Sequence, residues 1–353
     1  MLSLGLALSP GFQPSSWFAD TALAAPDVSD GIAKPPAFIA DFRRGRHALT
    51  SVPPANIPSA PVEALVAPQP ADFAALFSFT RASPAEYVDA SGAAFQAPVD
   101  TPRFDHRNGY PQLLLEGPAT NLFLNSHAPA TQIIAVVSGM QYTVSCRGAG
   151  SLTLSGAASG SVTQASPQTF TAATASLSVT VSISLSRAQV EAGASASSFV
   201  QTGASPATRA ADSCRFSPAA EALAQKTAAT VLVRGEGITG SLGRLVGASA
   251  SDEIIRLNTP QTAVLSGTTL ALAAVTTPLP AFGLSLSWNG SGRSGSYNGS
   301  AAVSEATVPA ASGQIFLGRS QAGLFASGRY DSLTIWPFRA TNAALQAKST
   351  AYI

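Results

Sequence analysis

Apolar and polar side chains alternate along most of this chain with the period of β-strands. In SLSVTVSISLS, residues 176–186, Leu177, Val179, Val181, Ile183 and Leu185 fall on every second position. In an extended chain this turns one face to a core and leaves a Ser/Thr face outward. MQYTVSCRG, SLTLSG and QTFTAA, in the same nearly charge-free stretch from about Ser126 to Pro206, alternate likewise. Together they predict a small antiparallel sandwich. A second block over 228–340 alternates again, in AATVLVRG, GRLVGAS, EIIRLN, TAVLSG, TTLALAAV, FGLSLSWNGSG, RSGSYNGSAA, GQIFLGR and YDSLTIWPF. Nine or so short strands with Asn-Gly and Ser-Gly turns predict a two-sheet, jelly-roll or lectin-like sandwich.

Between and around these blocks the pattern changes. Residues 71–126 hold short β signals, FSFTRAS, EYVDASG, TPRFDHRNGY and PQLLLEGPATNLFLNS, punctuated by Ser91-Gly92 and Asn108-Gly109. Glycine tolerates the positive φ of a tight turn, so hairpins are expected here. Ala207–Lys226 reads as a connector with one short helix, capped by Ser217 with Pro218 at the first helical position and Glu221 near a capping-box site. Thr341–Lys348 reads as a short helix. Residues 1–70 are dense in proline, which withholds backbone donors from ladders and helices. An extended arm is expected, with AFIADF at Ala37–Phe42 its one strand-like segment. Trp17, Phe18, Phe38 and Phe42 are costly to leave in water, so the arm should dock on other parts or on other chains.

Charge refines this picture. Only 11% of the 353 residues are charged, too few for long solvated helices. The 20 basic residues are spread out apart from Arg43, Arg44 and Arg46 beside His47, which reads as a solvated turn or a subunit contact. No nucleic-acid partner is expected. Mean hydropathy is positive, yet no apolar run reaches the roughly 18 residues of a membrane span, so no membrane insertion is expected. Met1 to Leu8 is apolar but lacks a basic n-region and a clear cleavage site, and reads as arm rather than signal peptide. Cys146 and Cys214 are expected to be free, buried thiols, a single bridge being the alternative.

Candidate chemistry is sparse. The three histidines, His47, His106 and His127, show no metal-ligand spacing, and His106 in FDHRNG reads as a turn residue. Asp252 and Glu253 are adjacent, which in a strand sends them to opposite faces; Asp100 and Asp105 read as turn residues. No loop gathers the carboxylates a calcium site needs, with Asp252, Glu253 and Asp331 scattered. No catalytic residue, metal or cofactor is expected, and the chain is read as a non-enzyme. For sugar binding, an aromatic plate with amide and guanidinium neighbours is needed. Trp288, Asn289, Arg293, Tyr297 and Asn298 supply it on one hairpin. Against that, Trp288 continues the inward alternation of Leu284 and Leu286, and Trp336 reads as core or domain contact.

The segment Phe79–Leu122, FTRASPAEYVDASGAAFQAPVDTPRFDHRNGYPQLLLEGPATNL, resembles a stretch that recurs in tail-fibre, head-spike and related virion proteins of tailed bacteriophages and gene transfer agents. Phe79 to Ser83, Tyr87-Val88-Asp89 with Gly92, Pro102 to Asp105, Leu114 to Glu116 and Thr120 to Leu122 carry it. RAQVEAGASASSFVQTGASPATRAAD at Arg187–Asp212 looks like the same family, and YDSLTIWPFRATNAALQA at Tyr330–Ala347 is similar to the closing strand of laminin-G or concanavalin-A-like sandwiches. The Pro-rich insert before LFSFTRAS departs from the family's compact spacing.

The resemblance implies a mostly β virion protein: an extended Pro-rich N-terminal arm (1–70), a β-hairpin scaffold (71–126), a small carbohydrate-binding-like β-sandwich (127–206) and a C-terminal concanavalin-A/laminin-G-like β-sandwich (207–353), with 37–42 a candidate to complete the last. It implies a head-spike, fibre or tail-fibre subunit of a phage or gene transfer agent particle assembled in the bacterial cytoplasm. Its expected partners are other virion proteins and host surface polysaccharide, and the extended arm adds an expected homo-oligomer. The alternatives are a structural adaptor that binds no glycan and, less favoured, a capsule depolymerase. The resemblance transfers no catalytic residue.

Overall fold

The computed structural model describes residues 34–351 except 183, 241, 249–252, 259–261, 266–268 and 308–312. The expectations for Met1 to Leu8, Trp17, Phe18, Ile183, Asp252 and the Glu253 side chain lie outside the described residues. The fold is mostly β and antiparallel, built as two sandwiches.

The larger sandwich packs two sheets over one core. Its first sheet runs, in spatial order, Val303–Glu305, Gly292–Tyr297, Phe282–Asn289, Ala229–Thr239, Ser327–Trp336, Phe38–Asp41, Arg46–Leu49 and Gln69–Pro70, with Gln112–Leu115 also on Ser327–Trp336 and Arg103–Asp105 paired to it. The second runs Leu270–Ala274, Thr262–Leu265, Glu253–Asn258, Arg244–Gly247, Phe316–Leu317, Ser213–Phe216 and Phe77–Thr80. Between them Val231, Val233, Leu284, Leu286, Leu333 and Ile335 are fully buried. Phe38 stacks on Phe216 at 6.1 Å and meets Phe77 edge-on at 5.7 Å, tying the two sheets together.

From residue 34 on, the segment expected as a docking arm is part of this sandwich. Phe38–Asp41 is buried at all four positions because it lies between two other strands with both faces covered. The basic cluster Arg43, Arg44 and Arg46 closes the hairpin from Phe38–Asp41 to Arg46–Leu49, where Arg44 pairs with Asp41 at 3.0 Å and Arg43 lies 3.8 Å from the Tyr110 ring centroid. Pro58 and Pro61 fall where the chain turns between two anchors, Ile57 and Leu65, that are buried in the same core.

The strands of 71–126 do not form a scaffold of their own. Phe77–Thr80 and Gln112–Leu115 join the large sandwich, Ala119–Asn121 pairs with Ala207–Arg209, and Ala85–Val88 pairs with Ala94–Ala97 as a hairpin held to the neighbouring strand by Val88 N donating to Asp105 and Arg103 donating to Glu86 O. Strands of three or four residues bury too little to stand alone, so each borrows a neighbour. The two turn glycines behave as expected, Gly92 at φ 81° and Gly109 at φ 85°.

The smaller sandwich faces a four-stranded sheet (Gln132–Ala135, Ser176–Val181, Leu152–Gly156, Gly160–Val162) against a three-stranded one (Gln168–Thr171, Gln141–Gly148, Leu185–Ala192). The alternating run at 176–186 is not one strand. It divides into Ser176–Val181 and Leu185–Ala192, which belong to opposite sheets, with Ser184 at φ 73° where the chain changes layer. Leu177, Val179, Val144, Leu152 and Val190 fill the core.

Both short helices form. Ser217 accepts from Ala220 N at the start of Pro218–Ala224, and Thr341 does the same for Ala344 N at the start of Asn342–Lys348. Cys146 and Cys214 are free and buried.

Candidate functional site

The hairpin expected to offer a sugar platform is a wall of the large sandwich. Trp288 is 2% exposed and its Nε1 donates to Lys226 O at 2.9 Å. Arg293, its cross-strand partner, is fully buried and pairs with Glu305, its Nε donating at 2.6 Å. Asn289 Oδ1 accepts from Arg339 Nη1 at 2.9 Å and from Ser291 N at 2.9 Å. Asn298, in a left-handed conformation, accepts from Gly283 N at 2.7 Å, and Tyr297 is half-buried against the core. Burial therefore agrees with the inward alternation read at Trp288 and takes it and Arg293 out of reach of a ligand, and the two asparagines spend their side-chain oxygens on the fold. The reason lies on the other face: Ser285 and Ser287 are small enough for the C-terminal segment to cover them, donating to Leu345 O and Ala340 O at 3.2 Å each. The serine face is thus buried beneath a helix.

The two stretches that carry the virion-protein resemblance meet at the junction of the sandwiches and enclose a buried charge network. Asp212 takes Arg103 Nη2 at 2.6 Å and Arg81 Nη1 at 3.2 Å. Glu116 takes Arg103 Nη1 at 2.8 Å, Arg209 Nη2 at 3.6 Å and Ser198 through both N and Oγ. Burial alone would raise the Glu116 carboxyl, but Arg209, Arg103 and the Ser198 hydrogen bonds outweigh it and hold it well below the usual carboxylate range. Glu191 lies behind them, bound by Ser197 and Gln189, and burial raises its carboxyl. Asp105, buried beside this junction, accepts from Val88 N and Arg107 N and pairs with Arg329. Asp100 caps Arg81 N at 2.8 Å. His106 keeps Nδ1 3.0 Å from Phe104 O, a local turn contact. Asp331 accepts from Gln112 Nε2. All of this is scaffold, and among the described residues no group of three His, Cys, Asp or Glu is placed to hold a metal.

Outward from that junction opens a cleft of about 290 Å³. Its floor is the outer face of the three-stranded sheet of the small sandwich. Ser145 pairs with Gln189 and Arg147 with Arg187 in register across Gln141–Gly148 and Leu185–Ala192, while the intervening Cys146 and Ala188 turn inward. Its walls are Glu86 and Arg107 on one side and Phe199 on the other. Arg187 is ion-paired to Glu86 and lies 4.9 Å from the centroid of the Phe199 ring. His127 holds the same ring edge-on at 5.0 Å. Arg147 is exposed and has no carboxylate partner among the described residues. Partial burial, then the charge of Arg329 and, after the opposing Asp105, that of Arg147, lower the Arg107 guanidinium below its ordinary value. Phe199 also borders a second cleft of about 650 Å³, with Ser83, Gln96, Gln201 and Thr208. Both volumes lie near or within the range of roughly 300–1,000 Å³ usual for small-molecule sites.

None of these side chains was picked out from the sequence. One signal was available: between Ser126 and Ser186 Arg147 is the sole Asp, Glu, Lys or Arg, and the next is Arg187. What the sequence does not show is that the two lie side by side.

The chain matches no family model and no curated protein. Several solved structures align with part of the chain at low similarity. The CBM40 domain of the Ruminococcus gnavus IT-sialidase, bound to α2,3-sialyllactose, aligns at 13% identity over 38% of this chain and 88% of that one, with a TM-score of 0.31. A leech intramolecular trans-sialidase aligns at 12% identity over 38% of this chain, TM-score 0.31, and only 25% of that enzyme's length is spanned. Domain 4 of an extracellular arabinanase from Geobacillus stearothermophilus, in complex with arabinotriose, aligns at 14% identity over 44% of this chain and 82% of that one, TM-score 0.28.

Proposed function

We propose that this protein is an adhesion subunit of a phage or gene transfer agent particle, and that it holds a host surface polysaccharide in the clefts on either side of Phe199. The observation that carries the reading is the clefts' lining: a half-buried aromatic ring flanked by guanidinium, amide and hydroxyl groups on the outer face of a rigid sheet. An apolar ring against the face of a sugar, with fixed polar groups for its hydroxyls, is the chemistry such a ligand needs. The virion assignment is supported by the resemblance at Phe79–Leu122 and Arg187–Asp212, whose residues build the walls of this cleft.

Binding without hydrolysis fits the carboxylates. Glycoside hydrolysis uses a pair of carboxyl groups about 5–9.5 Å apart. Glu86 is the only carboxylate among the described lining residues of either cleft, and it is committed to Arg187.

A purely structural role has one observation in its favour. Ile133, Val137 and Met140 are 74%, 62% and 52% exposed on the edge strand Gln132–Ala135 and the turn after it, the apolar kind of surface a neighbouring virion subunit would cover.

The test is retention of the full chain by a panel of bacterial capsules and lipopolysaccharides, alongside Phe199→Ala. Binding that Phe199→Ala weakens at least tenfold supports the reading. Absence of binding across the panel, or undiminished binding by the variant, overturns it.

A further inference from the structure

We infer that the saccharide taken by the 290 Å³ cleft is anionic, with its carboxylate or phosphate seated between Arg147 and Arg107. This rests on the glycan-binding reading above and adds the class of sugar.

Three arginines, Arg107, Arg147 and Arg187, line the cleft against one carboxylate, Glu86. Glu86 is committed to Arg187. Arg147 sits directly opposite Arg187 across the strand pair, and like charges in that position are unfavourable in a sheet. Glu86 relieves Arg187, but among the described residues no carboxylate pairs with Arg147. Arg107 does little to help: its guanidinium is 4.0 Å from Asp105, a carboxylate already held by Arg329 at 3.1 Å. The cleft therefore holds two more positive charges than negative ones before any ligand arrives.

That excess is placed by the fold. Residues 126–186 contain no other Asp, Glu, Lys or Arg, so Arg147 is the one charge on that whole stretch of the small sandwich. Arg107 arrives from a different part of the chain, at the Asn108-Gly109 turn, and the buried salt bridges of Arg103 with Asp212 and Glu116 hold that hairpin rigidly against the small sandwich. Two guanidinium groups on separately anchored elements offer the forked donors that bind a carboxylate or phosphate in two-point fashion. Ser145 on the floor and the amide nitrogen of Gln164 at the rim, whose Oε1 accepts from Gly148 N, face the sugar's hydroxyls, while Gln189 is buried and spends its amide on Glu191 and Val200 N.

The experiment measures affinity of the full chain for uronic-acid polysaccharides, phosphate-bearing lipopolysaccharide cores and neutral glucans. The acidic polymers are also presented after carboxyl reduction and the cores after dephosphorylation. Arg147→Gln and Arg147→Lys are run in parallel, with thermal unfolding to show that these exposed-site variants remain folded. The inference expects binding to an acidic polymer that falls tenfold or more on removal of its charge, weakens with added salt, and falls similarly in Arg147→Gln with partial rescue in Arg147→Lys. Loss on carboxyl reduction identifies a carboxylate, and loss on dephosphorylation a phosphate. Equal binding to neutral or charge-stripped polymers overturns the anionic inference and leaves the glycan reading standing. Binding unaffected by Arg147→Gln overturns the assignment to this cleft. No binding to any polymer overturns both.

Discussion

Arg103 and Asp212 lie 109 residues apart in the chain and 2.6 Å apart in the fold, both side chains fully buried. With Arg81, Glu116, Arg209 and Ser198 they clamp the small sandwich to the large one. Removing one member of a buried pair leaves the other charge unpaired out of water, at a cost of about 3–5 kcal/mol. Arg103→Met alone and Asp212→Asn alone should each lower unfolding stability by that amount in denaturant titration, and the double variant should lose less than the sum. Additive losses would show that the two residues act independently.

Stability should fall as the solution is acidified, and His47 is one reason. Burial among Phe42 and Phe73, against the pull of Asp41 and Asp72, lowers its pKa from 6.5 to about 4. The unfolded chain then binds a proton that the folded chain refuses, so the stability His47 contributes is complete above pH 6.5 and is lost as pH falls toward 4. Glu116 acts with the same sign at lower pH, its contribution present above its unfolded value and lost as acid reaches its depressed folded value. Glu191, raised by burial, acts with the opposite sign and favours the fold at low pH. His47→Phe should flatten the stability profile between pH 6.5 and 4; a profile unchanged from the parent would exclude His47 as its source.

Trp288 and the cleft make separable predictions. Trp288→Ala should cost about 3–5 kcal/mol of stability, as truncation of a large buried side chain does, while the folded variant keeps its glycan affinity. A drop in affinity without a drop in stability would return the site to the hairpin of Trp288 and Tyr297.

Ser287 tests the covering of the sheet by the C-terminal segment. Its hydroxyl donates to Ala340 O and it is fully buried. Ser287→Leu should overpack this layer and lose about 1–3 kcal/mol, with faster amide exchange across Asn342–Lys348. Tolerance of leucine there would mean that the helix does not pack on this face.

Strand class, both short helices with the Ser217 cap, the two turn glycines and the burial of Trp288 with Leu284 and Leu286 were all legible in the sequence, because each depends on residues within a few positions of one another. Three features were not. Period 2 continues through residues 176–186, so the change of layer at Ser184 leaves no mark in the pattern. The segment Phe38–Asp41 was legible as a candidate to complete the C-terminal sandwich, but not its interior place there, flanked by Ser327–Trp336 and Arg46–Leu49 and so buried on both faces, because one of these is about 290 residues distant. A fragment beginning at residue 213 would lack that strand and Phe77–Thr80, so binding is best assayed on the full chain. The cleft was hidden for a similar reason. Arg107, Arg147, Arg187 and Phe199 read singly as surface residues, and only the pairing of Gln141–Gly148 with Leu185–Ala192 and the salt-bridged junction bring them together.

The most direct test of the glycan-binding cleft is amide hydrogen exchange of the full chain with and without whichever capsule or lipopolysaccharide it retains. Protection confined to peptides spanning Ser145–Arg147, Arg187–Gln189 and Phe199 is the predicted result. Protection at Trp288 to Asn298 instead, or none anywhere at saturating ligand, would contradict it.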